Sequence, residues 1–108
     1  MNGRNSVQLV GYVGQDLKET QNENGHQVAI RIATHYFTKN AAGEPVDHVT
    51  WHNVVAWDET ADYAGRNFVK GSKIMVEGKL VYGHFAGKDG TQRPVIQIKA
   101  HHLLNLDR

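Results

Sequence analysis

The segment from Val49 to Trp57, read as VTWHNVVAW, carries the residues of this 108-residue chain that most directly indicate chemistry. Its alternating pattern predicts a β-strand with Trp51, Asn53 and Trp57 on one face. At about 3.3 Å per residue the two indoles would lie roughly 20 Å apart, so each would serve a separate partner. A flat aromatic ring on an open sheet face can stack on a nucleobase of any identity, which contributes about 1 to 3 kcal/mol per contact. The alternative for either tryptophan is a place in the core or in a subunit interface, but the polar Asn53 between them favours stacking.

Five predicted strands and one helix could position these side chains. The strands are predicted over Asn5–Val13, Gln27–Phe37, Val49–Trp57, Lys73–Phe85 and Pro94–Leu104. Turn-like residues separate them at Asn24-Gly25, in the loop Lys39–Pro45 and at Gly87–Gly90. The spacing of Ala61, Ala64, Gly65 and Phe68 predicts a helix over Glu59–Phe68, with Asp58 as its N-cap. We therefore expect an all-β fold, a five-stranded antiparallel Greek-key OB-fold barrel with one short α-helix between strands 3 and 4.

Composition excludes several classes of protein. A chain of 108 residues can bury one core, so we expect a single domain over residues 1–108. The absence of cysteine removes disulfide frameworks and Cys-based zinc sites. No signal-peptide pattern or long apolar run occurs, which predicts a soluble cytoplasmic protein with no membrane partner. The formal net charge is +1, so any site for a polyanion must depend on where the charges lie.

The titratable and nucleophilic residues do not form a pattern typical of an enzyme. His48 and His52 are four residues apart, but on a strand this separates them by about 13 Å, too far to share one ion. Neither Ser6 nor Ser72 lies in a G-x-S-x-G turn. We therefore predict no catalytic residue, no metal site and no cofactor, and we keep a small histidine-dependent nuclease as the enzymatic alternative.

Dispersed motifs give the chain a resemblance to a known family. They include Asn5-x-Val7-x-Leu9-x-Gly11, Trp51-His52-x-Val54-Val55-x-Trp57, Lys70-Gly71-Ser72 and Val76-Glu77-Gly78-x-Leu80. In this order they resemble the bacterial-type single-stranded DNA-binding proteins over nearly the whole chain. The resemblance implies non-catalytic, sequence-tolerant binding of single-stranded DNA during replication, recombination and repair. It also implies a nucleoid-associated protein that assembles with itself, as a homotetramer or alternatively a dimer.

The resemblance also implies roles for individual residues. The stacking positions of the family fall on Phe37 or its neighbour Tyr36, on Trp51, on Trp57 and on Phe85. The histidine beside the first tryptophan, here His52, inherits a subunit contact. The cations expected to face phosphates are Lys39 and Lys70, with Arg4, Arg31, Lys79 and Lys88 as supplements.

Some features depart from the family pattern. Asp58-Glu59 follows Trp57 where relatives often carry glycine and lysine. The chain stops at Leu106-Asp107-Arg108, so we expect the acidic tail that recruits replication and repair proteins in the family to be absent. These departures keep a second hypothesis open, a replication-restart primosomal OB protein that acts mainly as an adaptor between protein partners.

Overall fold

The computed structural model describes residues 3–23, 25–86 and 90–107, which form six strands and one helix. In chain order these are β1 (Val7–Val13), β2 (Lys18–Asn22), β3 (Gly25–Lys39), β4 (Pro45–Trp57), α1 (Asp58–Asn67), β5 (Lys73–Ala86) and β6 (Gln92–Asn105). All five predicted strands and the predicted helix are present. The polar stretch before the first turn adds β2, so the helix lies between β4 and β5 in this numbering.

The strands form one sheet that closes on itself. Their order is β1-β5-β6-β4-β3-β2, and β1 also pairs with β3 through Tyr12↔Ala33 and Val13↔Ile32. Five strands therefore make a ring, with β2 added outside it as the partner of β3. One pairing, β4 with β6 at Val54↔Ile98, is parallel, and the other pairings in the described residues are antiparallel. This is the Greek-key order of the OB-fold.

Two glycines permit the close approaches that closure needs. A Cβ on Gly11 would lie 2.4 Å from the Ala33 carbonyl oxygen, where β1 passes from β5 to β3. A Cβ on Gly78 would lie 2.1 Å from the Lys99 carbonyl oxygen, at a register shift between β5 and β6. Because real Cβ atoms do not approach backbone this closely, any larger residue would push the strands apart.

The core fills the inside of the ring. Alternate residues of β3, namely Val28, Ile30 and Ile32, are almost fully buried, as the period of two predicts. The strands β4, β5 and β6 contribute Val54, Ala56, Ile74, Val76, Ile98 and Leu103. Helix α1 adds Ala61 and Ala64, and Phe68 follows it with its ring edge-on to Tyr63. Each large side chain buried in this way stabilises the fold by about 1.5 to 3 kcal/mol.

The start of α1 differs from the sequence expectation. Trp57 occupies the N-cap position without a side-chain cap, and Asp58 is the first helical residue, with a positive φ of 53°. The prediction of Asp58 as the N-cap is therefore wrong. Its carboxylate is turned toward the start of β3, where Oδ1 accepts a 3.4 Å hydrogen bond from the backbone N–H of His26. The sequence could not show this contact, because β3 and α1 come together only in the folded chain.

Two hairpins continue beyond the closed part of the sheet. β3 and β4 stay paired out to Lys39↔Pro45, where the Asn40 side chain accepts hydrogen bonds from the N–H groups of Ala42 and Glu44. β5 and β6 stay paired out to Ala86↔Gln92. In the part of the chain that the structure describes, no helix has the length and apolar character to cross a membrane.

Gly78 and Gly83 of β5 differ in the space around them, so replacing each with alanine tests this packing. Gly78→Ala should lower the free energy of unfolding by about 1 to 3 kcal/mol, because the methyl group would overlap backbone. Gly83→Ala is the matched control, since a Cβ there meets nothing within 4 Å. It should change stability by no more than about 0.5 kcal/mol. Urea denaturation measures both, and equal effects would contradict the assigned bulge.

Candidate nucleic-acid interface

One face of the β3–β4 ladder points away from the core and carries aromatic and cationic side chains. The register pairs Ala33 with Trp51, Arg31 with Asn53, and Gln27 with Trp57. Because directly paired residues of an antiparallel ladder lie on the same side, Trp51, Asn53, Trp57, Arg31 and Phe37 share this face. We call it the tryptophan face.

Trp51 is held in place and still accessible. Its ring lies so close to Gly14 that a Cβ there would be 2.2 Å from Cζ3. The guanidinium carbon of Arg31 lies 5.2 Å from the ring centroid, within the range of a cation–π contact. The side chain nevertheless stays 47% exposed. An indole fixed by two neighbours with half of its surface free loses little entropy when a flat ligand stacks on it.

The two aromatic residues at the end of the predicted second strand lie on opposite faces. Phe37 is on the tryptophan face and is 69% exposed. Tyr36 is on the other face and stacks on His48, with ring centroids 4.7 Å apart and planes 12° from parallel. Of the two alternatives for this stacking position, only Phe37 shares a surface with Trp51.

The remaining predicted stacking positions differ in how far the structure describes them. Trp57 is half-buried at the end of β4, where α1 begins. Phe85 lies on β5 with its Cα opposite Arg93, and its side chain is outside the described part of the chain. Lys88 also lies outside the described residues.

The predicted cations that the structure describes lie on several elements of the fold. Lys39 is exposed at the tip of the β3–β4 hairpin, in register with Pro45. Lys70 is exposed in the turn after α1, and this turn is joined to β1 by a 2.8 Å hydrogen bond from the Gly71 N–H to the Val13 carbonyl. It therefore lies next to Gly14, on which Trp51 packs.

A second group of cations comes from β5, β6 and the segment before β1. Lys79 is exposed and pairs with Lys99, whose other neighbour is Val55 on β4. Sequence reasoning missed Lys99, although its alternation with the buried Ile98 could have placed it on the outer face. Arg4 is exposed beside Asn5, and the Asn5 side chain is bonded to both the N–H and the carbonyl of Leu80.

His52 lies on the opposite face from Trp51. It is half-buried, and its Nε2 is 2.9 Å from Oγ1 of Thr34. Burial disfavours the charged imidazolium and so lowers the pKa of His52 below its usual 6.5. His52 thus lies on the side of the ladder opposite to Trp51 and Arg31.

A groove of about 210 Å³ lies beside Asn53 and Arg31 of the tryptophan face. Its walls come from the segment after β1 and from β2, β3, β4 and β6, and its polar lining residues are Gln15, Asp16, Lys18, Arg31, Asn53 and Gln97. No group of three or more histidine, aspartate or glutamate residues able to hold a metal ion occurs among residues 3–23, 25–86 and 90–107.

The closed Greek-key sheet with an outward aromatic face defines an OB-fold domain. The Single-strand binding protein family matches residues 4–106, which is nearly the whole chain. This protein belongs to that family. A family named for binding is consistent with a site that holds exposed aromatic rings and cations.

Individual relatives give the same result. The mitochondrial single-stranded DNA-binding protein of Danio rerio is 36% identical over 110 residues, which cover 94% of this chain and 75% of that protein. A single-stranded DNA-binding protein of Xanthomonas campestris is 31% identical over 102 residues, covering 94% of this chain and 59% of that one. The chain spans about three fifths of the length of such bacterial relatives.

A solved structure shares the fold. The Plasmodium falciparum SSB, determined in complex with ssDNA, superposes with a TM-score of 0.83 over 99% of this chain and 100% of that one. At 23% sequence identity this likeness confirms the OB-fold expected from the sequence.

The pKa of His52 predicts a pH dependence of stability. Above about pH 6.5 His52 is neutral in both folded and unfolded chains, so its burial does not make the free energy of unfolding depend on pH there. Below that pH the unfolded chain binds the proton more readily, so the free energy of unfolding falls until the pH passes the lowered folded pKa. Urea denaturation at constant protein concentration across this window measures the slope.

His52→Gln should flatten this pH dependence, because the side chain that titrates is gone. His101→Gln is the matched control, since His101 is exposed on β6 and should leave the slope unchanged. An unchanged slope in the His52 variant would show that another group is responsible.

Proposed function

We propose that this protein binds single-stranded DNA without catalysis and with tolerance of sequence, and that it protects exposed strands during replication, recombination and repair. The observation that carries the proposal is the tryptophan face, on which Trp51, with Arg31 over its ring, and Phe37 are both exposed in a member of the single-strand binding family. Exposed aromatic rings on an open sheet suit unpaired bases, because a duplex does not offer the faces of its bases.

Stacking would supply the main part of the affinity. Trp51, Phe37 and Trp57 are the rings that this proposal assigns to bases, and the position of Phe85 on the β5–β6 hairpin is proposed as the fourth. Because every base has a π-face, stacking on these rings would not select strongly among sequences. Each base–aromatic contact would contribute about 1 to 3 kcal/mol.

Phosphate contacts would come from the cations that surround the rings. Lys39, Lys70, Lys79 and Lys99 are proposed for this role, with Arg4 and Lys88 as further candidates. Each cation that pairs with a phosphate releases a counterion from the strand, so the affinity should fall as salt increases. The formal net charge is only +1, so the positions of individual cations would matter more for the affinity than the attraction between the whole chain and the DNA strand.

Self-association completes the proposal. β1 pairs with β5 along Val7–Tyr12, but its other edge meets β3 only at Tyr12 and Val13 within the described residues. An open strand edge favours pairing with another chain, and Val10 beside it is 51% exposed. We propose a homotetramer, with a dimer as the alternative, and we assign His52 to a subunit contact. The site of action would be the nucleoid, where single strands are exposed.

The primosomal adaptor remains a distinct hypothesis, but no described feature favours it over DNA binding. A protein adaptor would need a surface that fits a protein partner. The tryptophan face instead carries the exposed rings of Trp51 and Phe37 and the cation of Arg31, which is the chemistry of a base-stacking surface.

A double variant tests the stacking directly. Trp51→Ala/Trp57→Ala should lose several kcal/mol of binding to oligo(dT), at about 1 to 3 kcal/mol per base contact. Fluorescence anisotropy of labelled DNA measures the affinity, and circular dichroism shows whether the variant stays folded. A folded double variant with unchanged affinity would refute the proposal.

The adjacent residues Phe37 and Tyr36 provide a matched pair for the same measurement. Phe37→Ala should weaken binding by about 1 to 3 kcal/mol because it removes a ring from the tryptophan face. Tyr36→Ala removes a ring of similar exposure from the opposite face and should change the affinity much less. The reverse order would mean that the strand follows the other face of this hairpin.

A further inference from the structure

A histidine and an aspartate are paired on the tryptophan face, between the exposed rings of Trp51 and Phe37. The register places Asp47 directly opposite Phe37. It places His35 opposite Val49, in the next row toward Trp51. Nδ1 of His35 lies 3.2 Å from each of the two carboxylate oxygens of Asp47. Because successive rows on one face are about 7 Å apart, a strand whose bases stack on Trp51 and Phe37 would pass over this pair.

Asp47 is a carboxylate on a face that is proposed to bind a polyanion. Along the β3–β4 pairing, all of which the structure describes, it is the one acidic side chain on the tryptophan face. By itself its charge would repel a phosphate that passes Phe37. A protonated His35 would offset that charge. The net charge of this part of the face therefore depends on the protonation of a single imidazole.

The contact with Asp47 determines which nitrogen of His35 carries the first proton. A carboxylate only accepts hydrogen bonds, so Nδ1 is the donor to Asp47. In the neutral imidazole the other nitrogen, Nε2, then holds a lone pair and can only accept. Nε2 makes no hydrogen bond within the described residues, and the side chain is 40% exposed. A phosphodiester oxygen also only accepts, so it can bond to Nε2 only after the ring has taken up a second proton.

Several other charged or titratable side chains share this side of the sheet with His35. They are Asp47 on β4, Lys39 and Arg31 on β3, and Tyr12, which β1 places opposite Ala33. Histidine is the side chain that ordinarily changes its charge between about pH 5 and 8. Carboxylates, lysines, arginines and tyrosines ordinarily do not titrate in that range. A change of DNA affinity over this range that originates on the tryptophan face would therefore come from His35.

We propose that His35 is a further DNA contact of the tryptophan face, whose protonated Nε2 donates a hydrogen bond to a backbone phosphate between the bases stacked on Trp51 and Phe37. Asp47 is its positioning residue, because it holds the ring through Nδ1. The inference rests on the proposed binding of single-stranded DNA and deepens it. Binding at this position takes up one proton from solution, so the affinity should rise as the pH falls.

Oligo(dT) is the probe, because neither thymine nor the phosphodiester titrates over the range of about pH 5.5 to 7.5 in which histidine ordinarily does. Fluorescence anisotropy measures the affinity, and circular dichroism at each pH shows that the protein is folded. The native protein should bind about tenfold more tightly at the lower pH, the effect of one hydrogen bond to a charged group. The logarithmic dependence of affinity on salt should also be steeper there by about 0.7, because one more phosphate is contacted.

Variants of the pair identify the group that takes up the proton. His35→Gln removes the imidazole but keeps a polar side chain, so the differences in affinity and in salt dependence between the two pH values should vanish. His48→Gln is the matched control. His48 follows Asp47 on β4 but lies on the opposite face, stacked on Tyr36, so its replacement should preserve both differences.

Asp47→Asn tests the role of the positioning residue. An amide does not repel a phosphate, and it can donate to Nδ1, which lets Nε2 carry the proton of the neutral ring. This variant should therefore bind oligo(dT) more tightly than the native protein at the higher pH. Weaker binding there would show that the pair only supports the hairpin, and it would overturn the role given to Asp47.

The outcomes separate the His35 contact from the proposed function. Differences that His35→Gln abolishes and His48→Gln preserves would support the contact. A pH dependence that survives His35→Gln, or a salt dependence equal at both pH values, would overturn it. Tighter binding at the higher pH would mean that the neutral Nε2 accepts from a base, and would also overturn it. Binding that is independent of pH would overturn the contact with the proposed function intact, whereas no binding of oligo(dT) at any pH would refute both.

Discussion

The register of the β3–β4 ladder is the constraint on which the rest of the structure depends. It runs from Gln27↔Trp57 to Lys39↔Pro45 and places Ile30 and Ile32 inside while Arg31 and Trp51 are outside. A shift of one residue would move the tryptophans into the core and the isoleucines into water. The loss of the burial free energy of several large side chains opposes this shift strongly. The same packing that stabilises the fold therefore determines which aromatic rings face a ligand.

Closure of the sheet turns this ladder into a rigid platform. β1 passes between β5 and β3 at Gly11, and the adjoining Gly14 forms the surface on which Trp51 lies. The turn that carries Lys70 is bonded back to Val13. The ring of Trp51, the glycine that supports it and the cation of Lys70 thus come from three separate segments. Each segment is held in place by backbone hydrogen bonds. A platform of this kind needs little rearrangement when a strand binds, which favours affinity.

Alternation and turn residues were sufficient to predict the five principal strands and the common face of Trp51 and Trp57, and the spacing of Ala61, Ala64, Gly65 and Phe68 was sufficient to predict the helix. What the sequence could not show depends on contacts between distant segments. The N-cap assignment of Asp58 was wrong because its carboxylate is directed to His26 across the fold. The register was needed to show which of Phe37 and Tyr36 shares a face with Trp51, and the pairing of β6 with β4 was needed to place Lys99 beside Val55. The groove is lined by residues from the segment after β1 and from β2, β3, β4 and β6, so no local pattern indicates it.

The central claim is that Trp51 and Trp57 stack on the bases of single-stranded DNA, and their intrinsic fluorescence reports on it most directly. The measurement is a titration with oligo(dT) and with duplex DNA at low and at high salt. Deep quenching by the single strand and little by the duplex, with an affinity that weakens as salt increases, is the result expected. If the folded protein showed no quenching with either DNA, the stacking account would be contradicted, and a role as a protein adaptor would become the better explanation.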